Sequence, residues 1–216
     1  MKDRRQDTSP AGVVERPQQA GEVRARWAWA EPAVWTERML TALETGANGG
    51  IWFRLIDKVE SPRVLWAAWA KVWANRGSGG VDGQTVQQFA RDGESRLSEL
   101  SAALRAGSYQ PLPVRRVYIP KPDGRQRPLG IPAVRDRVVQ TALRNVLEPI
   151  FESQFCEHSY GFRPGRGAKD ALRRVDGQLK EGYRYVVDAD LKSYFDTIPH
   201  ERLMGLVSRR IADGRV

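Results

Sequence analysis

One stretch near the C-terminal end, YVVDADLKSYFDTIPH, covers Tyr185 to His200 and sets carboxylates at Asp188, Asp190 and Asp196 among Val, Tyr and Phe. Its alternation predicts a β-strand over 183–191. In a strand, alternate side chains share a face. Tyr185, Val187, Ala189 and Leu191 are then expected to point into a core. Val186, Asp188 and Asp190 are expected on the other face. Two carboxylates at i and i+2 repel each other unless a cation or a donor lies between them. A strand that ends in solvated acids is one solution. A divalent cation is another, because Mg²⁺ takes carboxylate oxygens and keeps part of its water shell.

The charge around this acidic stretch is uneven. The chain of 216 residues carries 35 Lys and Arg against 26 Asp and Glu, with an isoelectric point near 10.0. Residues 109–174 hold 13 basic against 6 acidic side chains, a net of +7, whereas residues 1–108 net +2 and residues 175–216 net zero. A concentrated positive segment favours a polyanionic partner such as nucleic acid. The single cysteine, Cys156, excludes an internal disulfide framework and a cysteine-based zinc site, which fits a reducing cytoplasm. The sequence has no apolar run of membrane-spanning length, so no membrane partner is expected.

Periodicity supplies the frame. Residues 1–26 read as a polar tail rich in Pro and Gly. Short helical patterns follow over 32–45 and 51–75, where Trp66, Trp69 and Trp73 share one helical face that is expected to be core. Asn75–Gly83 is a glycine-rich loop that lacks the Lys-Ser/Thr ending of a phosphate-cradling loop. One or two helices are expected in 84–106, ended by Gly107. Residues 113–119 and 129–131 read as the arms of a hairpin around a Pro-Asp-Gly turn. The clearest helix spans 133–151, with Pro149 expected to kink or end it. Helix 168–181, the strand 183–191 and a last helix with Pro199 in its first turn and Leu203, Leu206, Val207 and Ile211 on one side complete the order, which indicates an α+β fold.

Lys121 and Arg127 flank the turn of the basic hairpin. Lys offers a point charge and Arg a bidentate fork, a combination that grips phosphates. The same pattern also suits a solvated surface hairpin. A metal site on one element facing phosphate ligands on another is the arrangement that nucleotidyl transfer requires.

From Asn75 to His200 these blocks, in this order, resemble the reverse transcriptases encoded by bacterial group II introns, also called intron maturases. The resemblance is carried by Gly77–Gly83, Tyr109–Pro132, Arg135–Gln140, Leu147–Phe151, Ser159–Arg166 and Asp190–His200. It implies a right-hand polymerase. Residues 1–50 would form a tail and short helix, 51–108 a helical N-terminal extension, 109–182 the fingers and 183–216 the start of the palm. It implies that Asp190 is a catalytic, metal-binding aspartate, with the Leu191 carbonyl beside a second ion and Asp188 a supporting neighbour. Mg²⁺ is the implied cofactor. Lys121 and Arg127 match residues that hold the incoming triphosphate, and Phe195 matches an aromatic gate that crowds a 2′-hydroxyl and so selects deoxynucleotides. Arg115, Arg116, Arg163 and Arg166 are candidates for holding RNA.

The implied activity is RNA-directed DNA polymerisation, with splicing and intron mobility in the full-length protein. The implied partners are intron RNA as template, a DNA primer or target, and deoxynucleoside triphosphates. The family's second palm motif, an aromatic residue followed by Ala-Asp-Asp, does not occur in the sequence. The expectation is therefore a truncated chain, inactive alone, whose palm is completed by a further C-terminal portion or a second copy. Two alternatives remain. One is an RNA-binding splicing cofactor without polymerase activity. The other is a different bacterial reverse transcriptase lineage, such as retron, diversity-generating or CRISPR-associated enzymes.

Overall fold

The computed structural model describes residues 16–191 and 194–216. The expected tail lies outside these residues as far as position 15. Its remainder is helical: α1 (Arg16–Arg26) buries Val23 against the core. A forked ion pair of 2.8 and 2.7 Å from Arg26 to Glu44, joined by the Trp27 indole at 2.9 Å, ties α1 to α2 (Glu37–Glu44). α2 starts later than expected because Thr36, not Pro32, caps it by accepting a hydrogen bond from the Met39 N–H.

The single helix expected over 51–75 is two. α3 (Ile56–Val59) stops before Ser61, which is extended, and Pro62 opens α4 (Pro62–Asn75). Proline has no N–H and disfavours helix in the residue before it, so it starts a helix more readily than it continues one. Residues 51–55 are not helical. Trp52 makes a parallel bridge to Ile211, donating to the Arg210 carbonyl at 2.8 Å and accepting from the Ala212 N–H at 2.9 Å.

The tryptophan stripe is only partly core. Trp69 is buried, whereas Trp66 and Trp73 are each 47% exposed. The buried face of α4 is Val64, Leu65, Ala68, Trp69 and Val72. Trp66 and Trp73 each lie one residue beyond Leu65 and Val72, a rotation of about 100° off the core-facing line.

α5 (Val86–Arg91) and α6 (Gly93–Ala106) follow, with Gly107 ending α6 in the left-handed region. Thr85 and Gln88 cap α5 reciprocally, each side chain bonding the other's backbone N–H. α7 (Val134–Glu152) lies along α4 and buries Val134, Val138, Val139, Ala142, Val146 and Ile150. Together these helices enclose one hydrophobic core. Each fully buried aliphatic side chain there contributes about 1.5–3 kcal/mol.

Pro149 neither ends α7 nor lies at its edge. It is buried inside the helix, which runs on to Glu152. A proline at 149 leaves the Asn145 carbonyl without its helical donor. The Trp35 indole N–H takes that place, donating to the Asn145 carbonyl at 3.0 Å from a side chain that is itself fully buried.

β1 (Arg115–Pro120) and β2 (Gln126–Ile131) form an antiparallel hairpin, the two-stranded sheet of the described residues. α8 (Ala168–Lys180) and α9 (His200–Val207) complete the order, with Pro199 as the residue before α9 rather than in its first turn. Of the face expected on the last helix, Leu203 and Leu206 are exposed, while Ile211, beyond its end, is buried. No described helix is long and apolar enough to cross a membrane.

The expected strand 183–191 is absent. Residues 183–191 are irregular, and Tyr185 and Val187, expected in the core, are 98% and 93% exposed. A strand needs a neighbour for its backbone N–H and C=O groups, and no described segment pairs with this one. The fold is α+β, and among the described residues its strands are confined to the hairpin.

Candidate nucleotide and metal site

The hairpin brings the two phosphate-gripping candidates to one face. Its register pairs Arg115 with Ile131, Val117 with Leu129 and Ile119 with Arg127. Opposed residues share a face, and so do residues two apart along a strand. Arg127 therefore lies on the face of Arg115, Val117 and Ile119. The Lys121 N–H donates to the Arg125 carbonyl at 2.7 Å, which continues the register and puts Lys121 on that face too. Arg116 falls on the opposite face.

Other groups hold the tip. The Asp123 carboxylate accepts from the Arg125 backbone N–H at 3.0 Å and pairs with its guanidinium at 2.7 Å, both within the turn. These hydrogen bonds hold the Asp123 carboxyl below the usual carboxylate range. Arg125 is therefore engaged, whereas the side chains of Lys121 and Arg127 make no hydrogen bond or ion pair among the described residues and stay available.

The hairpin base is anchored by a feature that spacing alone reads as a turn. Arg115 donates to the Gly79 carbonyl at 3.0 Å and to the Ser78 hydroxyl at 3.1 Å. Arg137, at the start of α7, donates to the carbonyls of Arg76 at 3.2 Å and Ser78 at 2.7 Å. The glycine-rich loop is thus a junction between the end of α4, the hairpin and α7. It needs glycine for close approach. A Cβ at Gly80 would lie 2.5 Å from the backbone of Ala133, and one at Gly79 would lie 2.7 Å from the Gln84 carbonyl.

A second anchor leads into β1. The buried Asp136 carboxylate accepts from the Tyr109 hydroxyl at 2.7 Å and the Leu112 N–H at 3.0 Å. Arg135 lies 5.5 Å over the Tyr109 ring and donates to the Gln110 carbonyl. Burial, and then the bond to Asp136, push the Tyr109 hydroxyl pKa well up, so it stays protonated as a donor. The Tyr and Asp at this spacing fall inside the quoted blocks, but nothing in their spacing alone signals a buried pair.

The other arginine candidates differ in commitment. Arg163 is ion-paired with Glu152 at 2.7 Å, donates to the carbonyls of Cys156 at 2.6 Å and Ser159 at 2.9 Å, and lies 5.4 Å over the Phe155 ring. Its side chain is 6% exposed, and the hydrogen bond to Glu152 raises its pKa. It fastens the 153–166 loop. Arg166 donates to the Glu157 carbonyl. The Arg116 side chain makes no hydrogen bond or ion pair among the described residues.

Asp188, Asp190 and Leu191 lie in the irregular segment, exposed to solvent. Neither carboxylate makes a hydrogen bond or ion pair among the described residues, so both remain free acceptors for a hard cation. Among the described residues no group of three or more metal-ligating side chains gathers. The donor set thus fits a cation held by one or two carboxylates with water and phosphate oxygens filling the rest of its shell. Phe195 lies in a 3₁₀ turn, Tyr194–Asp196, 83% exposed and edge-on to Tyr194 at 5.4 Å, so it is not a core phenylalanine.

Residues 119–213, which contain β2, α7, the acidic segment and most of the candidate side chains, match the family model for reverse transcriptase (RNA-dependent DNA polymerase). Over 168 residues the chain is 45% identical to Protein YkfC of Escherichia coli, covering 75% of this chain and 44% of that protein. It is 35% identical over 166 residues to the group II intron-encoded protein LtrA of Lactococcus lactis, covering 76% of this chain and 27% of the relative. It is 40% identical over 119 residues to a 91 kDa protein in the cob intron of Schizosaccharomyces pombe, covering 55% of this chain and 15% of the relative. The chain therefore spans less than half the length of these relatives, and the family uses divalent metal ions. On these matches the chain carries reverse-transcriptase sequence over residues 119–213 and is similar to proteins encoded in group II introns.

Proposed function

We propose that this chain is the fingers and the first part of the palm of an RNA-directed DNA polymerase, preceded by a helical extension. In this reading 51–108 is the extension, 109–182 the fingers and 183–216 the start of the palm. The observation that carries it is the shared, unengaged face of Lys121 and Arg127 on a hairpin held rigidly at its base.

In this reading Lys121 and Arg127 bind the triphosphate of an incoming deoxynucleotide, Arg127 by its fork and Lys121 by point charge. The Gly77–Gly83 junction and the Tyr109–Asp136 pair orient the hairpin toward the nucleotide. The Phe195 ring crowds the sugar edge and excludes a 2′-hydroxyl. Asp190, with the Leu191 carbonyl, would hold Mg²⁺, and Asp188 supports it. Bound there, the ion would activate the attacking oxygen and offset charge on the leaving phosphate. Substrates are deoxynucleoside triphosphates, an intron RNA template and a DNA primer, and the site of action is the cytoplasm.

Two measurements test the reading. Titration with a deoxynucleoside triphosphate and Mg²⁺ is expected to show binding that Lys121→Ala and Arg127→Ala each weaken about tenfold, the scale of one charge-assisted contact. Unchanged affinity in both variants sinks the hairpin assignment. Primer extension on an RNA template is expected to give no robust product from these 216 residues alone, because a pair of neighbouring carboxylates is a thin donor set for two-ion chemistry. Strong extension abolished by Asp190→Asn would overturn that expectation while upholding the polymerase. The binding-only reading, a splicing cofactor, draws on the +7 segment. It predicts salt-dependent RNA binding that survives Asp190→Ala.

A further inference from the structure

Arg163 ties the 153–166 loop to the end of α7 through Glu152. Beyond it, α8 and α9 pack extensively on no other described element, and the acidic segment between them is open to solvent. The chain returns to the helical core at residues 210–216, which form a strap across the helical extension. Arg210 donates to the Gly49 carbonyl at 3.3 Å, in the 3₁₀ turn Ala47–Gly50. Arg210 and Ala212 then bracket the backbone bridge to Trp52. The Asp213 carboxylate accepts from the N–H of Ile56, the first residue of α3, at 2.9 Å. Leu55, which precedes α3, offers no side-chain cap, so Asp213 caps that helix from 157 positions away. Arg215 donates to the Leu104 and Arg105 carbonyls at 3.3 and 3.1 Å, where a cation suits the C-terminal end of α6.

These polar bonds, more than packing, hold the strap closed. Ile211 is the one side chain of 210–216 that is buried; the others are half-buried or exposed. A groove of about 600 Å³ lies between the strap and residues 53–60, lined by Phe53, Arg54, Ile56, Glu60, Asp213 and Arg215 among others. The ion pairs at its edge are long. Glu60 lies 3.5 Å from Arg215 and 3.6 Å from Arg105, and its Oε2 is closed to solvent with no hydrogen bond. An unmet buried oxygen is a cost of the closed state that opening removes, because water then reaches it. Two residues from the Trp52 bridge, Arg54 holds a left-handed backbone, φ 54°, a second cost tied to the same closure.

We infer that residues 210–216 open from the helical extension as one cooperative unit while the helical core stays folded. The strap is then the joint at which α9 and the acidic segment move relative to the extension. Its fastenings act together because they sit on one short run of chain: losing the Asp213 cap loosens the segment that carries the Trp52 bridge and the Arg215 cap. Segments that move belong to the least stable part of a fold, with few buried apolar contacts and solvent-exposed backbone bonds. The strap has both properties, whereas α4 and α7 have neither. The outcome does not depend on the polymerase reading, which the triphosphate titration tests separately.

The test is native-state amide hydrogen exchange on the 216-residue chain, followed residue by residue in rising urea below the unfolding transition. The Trp52, Ile56 and Ala212 amides should share one exchange free energy, depend weakly on urea, and exchange about tenfold or more faster than the Val146 amide of α7. Asp213→Ala removes the acceptor of Ile56 alone among these three amides. It should nevertheless speed exchange at Trp52 and Ala212 by one common factor of about ten, the loss of one charge-assisted bond. Arg215→Ala, which touches none of the three, should speed all of them together. Exchange of the three amides only alongside Val146, with the same urea slope, overturns the inference, because the strap is then part of the core; the wild type alone decides this point. Acceleration by Asp213→Ala confined to Ile56 also overturns it, because the fastenings then open independently.

Discussion

Two regions of this molecule carry the same kind of sequence and reach opposite ends. α4 and α7 present apolar stripes and bury them against each other, so that Leu65, Val138 and Val146 are closed off from solvent. α8 carries a comparable stripe, Leu172, Val175 and Leu179, and every one of the three is about half or more exposed. The segment from Tyr185 to Leu191 and the residues Leu203, Met204 and Leu206 of α9 are similarly open. A stripe states which face seeks cover. Whether cover is present depends on a second element, and none of the described elements lies over α8 or 185–191. Contiguous exposed apolar surface commonly marks an interaction site.

Truncations in the two regions should therefore differ most. Leu65→Ala empties a fully buried site and is expected to cost about 2–5 kcal/mol. Leu172→Ala should change stability by less than about 0.5 kcal/mol. Chemical denaturation of both variants measures the contrast, and a large loss from Leu172→Ala would mean that α8 is covered in solution. Glycine gives the same contrast with a change of sign. Gly80→Ala drives a Cβ into the Ala133 backbone and should cost about 3 kcal/mol, whereas Gly177→Ala meets nothing within 4 Å inside α8 and should gain up to about 1 kcal/mol in helix propensity.

The same contrast explains what could be read without coordinates. Helices α5 to α8 were legible because caps, glycine stops and a 3.6-residue period are local properties. The hairpin was legible from Pro122-Asp123-Gly124 and its flanking alternation. The strand at 183–191 was not, because strand formation depends on a partner that the segment itself does not encode. The stripe of Trp66, Trp69 and Trp73 does not mark the centre of the buried face, because Leu65, Ala68 and Val72 do, and side-chain size alone does not tell the two apart. The junction role of Gly80 depends on the position of Ala133, more than fifty residues away, and no local signal reports it. Of the candidate site, that Lys121 and Arg127 share a face follows from the hairpin register and not from their flanking the turn. Arg163 is engaged with Glu152, which its sequence neighbourhood does not reveal.

A smaller effect probes how the covered region tolerates a proline within a helix. Trp35→Phe keeps most of the buried ring but removes the N–H that serves the Asn145 carbonyl, and should cost about 1–3 kcal/mol. Pro149→Ala returns a backbone N–H four residues after that carbonyl. In the Pro149→Ala background Trp35→Phe should therefore cost less, and the double-mutant cycle should yield a coupling of about 0.5–3 kcal/mol. Strict additivity would show that the indole is there for packing alone.

The smallest expected effect is on pH dependence, and it belongs to the covered region. Burial pushes the Glu31 carboxyl up, but hydrogen bonds from Lys71 and from the Ala33 N–H, with the Lys71 charge, outweigh it and hold the pKa below the usual glutamate range. A carboxylate whose folded pKa is depressed adds stability that is fully present above its unfolded value, about 4.3, and is lost as the pH falls through the folded value. Asp213 behaves likewise: burial opposes ionisation, and the Ile56 N–H at 2.9 Å with the Arg215 N–H at 3.1 Å reverses the balance. Both groups fasten the helical core, one to α4 and the other to the C-terminal segment beside Trp52. Below about pH 4, Glu31→Gln and Asp213→Asn should therefore each flatten the acid slope of the unfolding free energy, read by chemical denaturation across pH. A slope left as in the wild type by both variants would show that the bonds from Lys71 and the Ala33 N–H, and from the Ile56 and Arg215 N–H groups, do not hold these carboxylates ionised in the folded chain.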